Sequence, residues 1–130
     1  MCALDNDLLF GKCFDLALLQ LFSKVNDDAM TVVTGYRSQL KPACAECSPF
    51  LIADRLGGAC HFTDVKTAGK IVNLEMAWGH TWDTDLAKKL SRIGMPRYSW
   101  MQHQGIFGNG VNGESDDFAV DFVGDGNTCH

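Results

Sequence analysis

A chain of 130 residues with 46% hydrophobic and 21% charged residues has a globular composition. At that length it can bury roughly two-thirds of the surface that its unfolded form exposes. A net charge of −5 with no basic run excludes a phosphate-backbone binder, because nothing is present to displace counterions. The most apolar stretch, 8–25, is interrupted by Lys12, Asp15, Gln20 and Ser23 and is no membrane span.

The first seven residues, MCALDND, lack the basic start and apolar run of a signal peptide. The expectation is cytoplasmic synthesis, which is compatible with later release to a cell wall, and one domain over 1–130. Without a secretion signal the six cysteines (2, 13, 44, 47, 60 and 129) are expected to be reduced. Cys44 and Cys47 have ligand spacing, but a zinc ribbon needs a second spaced pair. Cys60 and His61 are adjacent instead, and two neighbours do not easily point at one ion.

Asp5 or Asn6 is placed to cap a helix over 8–25, whose apolar positions cover nearly its whole circumference and predict deep burial. Asn26-Asp-Asp28 ends it. Met30 to Thr34 then reads as a buried strand, because Thr31, Val32, Val33 and Thr34 are β-branched. Gly35 permits a sharp turn or a close backbone approach. After an irregular segment around Pro42, Ser48-Pro49 predicts a short helix over 50–56, stopped by Gly57-Gly58.

Residues 59–64 read as extended and 66–70 as a turn. The alternation in Ile71-Val-Asn-Leu-Glu-Met-Ala-Trp78 predicts a half-buried strand with Glu75 on its polar side. Thr84 is placed to cap a helix over 85–93, closed by Gly94 and Pro96. Residues 97–101 and 104–107 read as strand pieces, 108–113 as a glycine-rich loop, and 118–123 as a last strand. The total is α+β: a small mixed or antiparallel sheet with helices packed on one side.

Three polar side chains, Tyr36, Arg37 and Ser38, follow the buried strand. A guanidinium at such a position can grip a carboxylate with two parallel hydrogen bonds, which lysine cannot do. The run TVVTGYRS resembles the opening of the zinc D-alanyl-D-alanine carboxypeptidases and L-alanyl-D-glutamate endopeptidases. Those are small α+β enzymes that cut peptidoglycan stem peptides, many of them phage endolysins. The likeness covers 8–38, about a quarter of the chain.

That resemblance implies Arg37, with Tyr36 and Ser38, as binders of the substrate carboxylate. It implies His61 and Asp64 as two zinc ligands, Glu75 as the general base and His80 as the third ligand, with Trp100-Met-Gln-His103 a rival place for it. The His61–Asp64 spacing is three where the family has seven, and the gap from Asp64 to Glu75 is shorter than the family's. Two imidazoles and a carboxylate would hold Zn²⁺ with water in the open position. Glu75 would take the water's proton and pass it to the leaving amine.

Gly11-Lys-Cys13-Phe-Asp-Leu-Ala17 also resembles the nucleophile helix of CHAP and NlpC/P60 cysteine amidases. That likeness implies Cys13 as nucleophile with His80 or His103 as base. With a helix starting at Leu8, however, Cys13 falls mid-helix. A third reading is a monomeric, non-enzymatic acidic module, such as a phage-encoded inhibitor, binding another protein through the aromatic region 98–107.

Overall fold

The computed structural model describes residues 1–4, 8–36, 43–47, 50–56, 60–76 and 82–103. Expectations that fall on 5–7, 37–42, 48–49, 57–59, 77–81 and 104–130 lie outside the described residues.

In chain order the elements are β1 (Cys2–Leu4), β2 (Leu8–Phe10), α1 (Phe14–Val25), β3 (Thr31–Val33), β4 (Ala43–Cys47) and β5 (Phe50–Ala53). There follow β6 (Cys60–Phe62), α2 (Val65–Val72), α3 (Trp82–Lys89), β7 (Arg92–Pro96) and β8 (Met101–His103). Six strands form a mixed sheet in the order β1-β6-β3-β7-β5-β4, and β2 pairs with β8 in a separate ribbon. Among the described residues only β3 and β7 run parallel, and every other paired neighbour is antiparallel. The fold is α+β.

β3 lies inside the sheet with all three residues buried, as its β-branched sequence predicts. Its side chains alternate between two cores. Val33 joins Leu18, Leu21 and Val25 of α1, together with Leu8, Cys60 and Met101. Val32 joins Leu51, Ala53, Ile93 and Met95 of the sheet and Leu86 of α3 on the opposite face, where Ile71, Leu74 and Met76 also pack. Helical cover is therefore found on both faces, not on the one side expected. Residues 71–76 supply a hydrophobic turn beneath the second core.

Several local expectations are corrected. The helix predicted from Leu8 begins at Phe14, because Leu8–Phe10 pairs with Met101–His103, a partner ninety residues away that no local pattern reveals. Nor is α1 buried all round: Leu18, Leu21 and Val25 face the core, whereas Leu16 and Leu19 are 57% and 58% exposed. The helix predicted over 50–56 is strand β5, held between β4 and β7. Phe50, Leu51 and Ile52 favour the pleated surface once both neighbours exist.

The turn and strand predicted over 66–78 are replaced at their start by helix α2 and the turn after it. The alternation of Ile71 to Met76 arises from a helix end and a turn that share one apolar side. Asp64 sets the start of α2 by accepting from Thr67 N–H at 2.6 Å. The helix expected over 85–93 runs instead over Trp82–Lys89, and Ile93 belongs to β7. The strand piece expected over 97–101 is displaced to β7 and β8, which flank it. The segment after Pro42, read as irregular, contains β4.

Candidate functional site

The end of β3 is fixed by its own side chains. Thr34 N–H continues the parallel ladder to Gly94 O at 2.9 Å. The Thr34 hydroxyl then accepts from Tyr36 N–H at 3.1 Å and donates to Tyr36 O at 3.4 Å, closing a tight turn through Gly35. Gly35 is a site of close approach. A Cβ built there would lie 2.8 Å from Met101 Cε and 3.2 Å from Met101 Sδ. Gly35 O also accepts from Trp100 N–H at 2.9 Å, and Trp100 O accepts from Gly11 N–H at 2.7 Å. Tyr36 itself is buried.

His61 arrives beside this turn on β6. Val33 pairs with Phe62 in antiparallel register, so the next step along each strand brings Thr34 and His61 together. His61 is 8% exposed, and its ring meets the indole of Trp82 edge to face, with centroids 5.1 Å apart and planes at 71°. Its neighbour Cys60 faces the other core, where Gly35 N–H points at the sulfur. Three stretches singled out in the sequence thus converge at one end of the sheet: Thr34–Tyr36, Cys60–His61 and Trp100–Met101.

Asp64 and Glu75 are placed by contacts of their own. Asp64 spends a carboxylate oxygen on capping α2, and Thr67 N–H, followed by the nearby Lys66 and Lys70 charges, holds its pKa below the ordinary value. Glu75 is exposed on the turn after α2, not on a strand. Its carbonyl accepts from Lys89 Nζ at 2.6 Å. Lys89 ends α3 and Trp82 begins it. Glu75 is thus tied through Lys89 to α3, the helix whose Trp82 packs on His61.

Arg37, Ser38 and His80 lie outside the described residues, and His103 enters only through its backbone pairing with Leu8. Among the described residues, no three His, Cys, Asp or Glu side chains are placed to hold a metal ion. Of the expected ligands His61, Asp64 and His80, the first two lie among the described residues.

Cys13 is corrected in two respects. It stands at the N-cap of α1, in left-handed backbone (φ 59°), not mid-helix. It is also disulfide-bonded, against the expectation of reduced thiols, so in this state its sulfur is no nucleophile. Cys2 and Cys60 are free. Sequence reasoning overlooked Thr34, whose hydroxyl shapes the turn, and Trp82, which packs on His61. The Thr-Gly-Tyr triplet was a usable signal for the first; nothing local marks the second. No protein-family model, curated protein or solved structure matches the chain.

Proposed function

We propose that this chain handles peptidoglycan stem peptides as a zinc-peptidase-like domain. In that reading Tyr36, Arg37 and Ser38 hold a substrate carboxylate, and His61 is one ligand of a zinc site completed by His80 or His103. The observation that supports it is the convergence at Gly35. Its carbonyl takes the Trp100 N–H, while the strand carrying His61 lies alongside at Thr34. Tyr36, at the end of an inner strand, is fixed by the Thr34 hydroxyl, and a fixed anchor is what orienting a peptide requires. Asp64 is a further ligand and Glu75 the general base in that reading.

The test pairs elemental analysis of the purified chain with digestion of stem-peptide muropeptides. The expected result is one zinc per chain, lost in both His61→Ala and the near-isosteric His61→Gln, with peptide cleavage lost in parallel. A folded chain that holds no zinc and leaves muropeptides intact overturns the reading.

A recognition module without catalysis is the second reading, and the surface favours it. Leu9, Leu16 and Leu19 are 45%, 57% and 58% exposed, and Phe10 stacks on Phe14 with ring centroids 4.4 Å apart. Exposed apolar side chains suit a protein partner.

A further inference from the structure

We infer that Cys2 and Cys60 form a thiol–disulfide exchange site, whose reaction with a small-molecule disulfide ties strand β1 to the sheet. Both are free cysteines on neighbouring strands. Cys2 pairs with Phe62 and Leu4 with Cys60, so the two cysteines are diagonal partners on the same face. In that register the two side chains stand on the same face of neighbouring strands. The two ends differ. Cys2 is exposed at the sheet edge and Cys60 is completely buried beneath it.

That asymmetry assigns the order of events. The Cys2 thiolate attacks one sulfur of the small disulfide, forming a mixed disulfide and expelling one small thiolate. The Cys60 sulfur then attacks the Cys2 sulfur, and the second small thiol leaves with the Cys60 proton. Two protein thiols are oxidised by two electrons and one small disulfide is reduced to two thiols. Burial raises both thiols, Cys2 above its ordinary value and Cys60 further, to about 12, so Cys2 is the one that meets reagents in solution. Cys60 reacts with the sulfur carried to it on the neighbouring strand.

Diagonal partners in a sheet have Cα atoms about 7–8 Å apart, slightly beyond the ordinary disulfide range, so one strand must move. β1 is the strand able to do so. It is a terminal edge of three exposed residues, held by β6 and by the Met1 amino group donating to Thr63 O at 2.8 Å. Oxidation adds a covalent tie between β1 and β6.

The test incubates the full chain with oxidised glutathione and maps its peptides without reduction. The expected product joins the Cys2 and Cys60 peptides and is lighter by two hydrogens, and amide exchange in β1 slows. Cys60→Ser is expected to stop at a glutathione adduct on Cys2, and Cys2→Ser to give neither adduct nor cross-link. A wild-type chain that accumulates the Cys2 adduct while Cys60 stays a thiol overturns the inference. So does one in which neither cysteine reacts.

Discussion

Thr31 donates its buried hydroxyl to Asp27 Oδ1 across 2.7 Å, and through this bond the loop after α1 is tied to the first residue of β3. The same oxygen accepts from Ala29 N–H at 3.2 Å and from the Ser91 hydroxyl at 3.4 Å. Arg92 of β7 lies 3.6 Å from the other carboxylate oxygen and donates to Val25 O at 2.9 Å. One carboxylate thus gathers the incoming ends of the two parallel strands, where no hairpin could set the register. Asp27→Ala is expected to leave the Thr31 hydroxyl buried without its acceptor, costing about 1–2 kcal/mol. Chemical denaturation with an unchanged m-value checks this. Arg92→Met is expected to cost less, because its ion pair is long and partly solvated.

The carboxylates of Asp27 and Asp64 predict the acid limb of stability. Asp27 is held below its ordinary pKa chiefly by the Thr31 hydroxyl, and Asp64 chiefly by Thr67 N–H. A carboxylate whose folded pKa is depressed stabilises the fold above its unfolded value, and the contribution fades as pH falls through the folded one. The ordinary value here is 3.8. The melting temperature is therefore expected to be insensitive to these groups near neutrality and to drop below about pH 4. Asp27→Asn and Asp64→Asn should each flatten that drop while lowering stability at pH 7. A double variant with the wild-type slope below pH 4 contradicts the assignment.

How much of this was legible beforehand divides along local and distant causes. β3 was readable because four consecutive β-branched residues want a strand whatever surrounds them. The C-terminal half of α1 was readable as helix, but its apolar residues all round hid that Leu18, Leu21 and Val25 face the core while Leu16 and Leu19 do not. Leu8–Phe10 misled because three apolar residues before a helix extend its pattern, and only pairing with β8 reveals the strand. Residues 50–53 misled because Ser48-Pro49 is a strong helix-start signal, whereas β4 and β7 decide the outcome.

Asp64 was half read. Asp-Val-Lys-Thr is a capping sequence, and the neighbouring histidine drew the carboxylate into a ligand set without its capping role. The candidate site shares this division. The turn at Thr34–Tyr36 is written locally, while its closeness to Trp100 and His61 depends on strand order.

The two cores predict additive packing costs. Leu21 lies in the core beneath α1 and Leu86 in the core beneath α3, with the sheet between them. Leu21→Val and Leu86→Val should each destabilise by about 1 kcal/mol, and the double variant should show the sum to within about 0.5 kcal/mol. A coupling above that would mean that the sheet transmits strain between its faces. Urea titration of the three variants measures it.

Gly35 and Gly94 make a sharper test, because both admit no Cβ and yet should respond differently. At Gly35 the nearest obstruction is the terminal methyl of Met101, at 2.8 Å, on an unbranched chain with several rotatable bonds. At Gly94 the obstructions are Val25 Cγ2 at 2.9 Å and Val25 Cγ1 and Val33 Cγ1 at 3.1 Å. Those β-branched side chains are stiff at χ1 and belong to α1 and β3, which cannot separate without opening the first core. Gly94→Ala is therefore expected to cost about 3 kcal/mol and Gly35→Ala about 1 kcal/mol. Met101→Ala should relieve the Gly35→Ala clash, giving a favourable coupling in a double-mutant cycle, and should leave Gly94→Ala unimproved. Equal costs at the two glycines would place the flexibility elsewhere than in Met101.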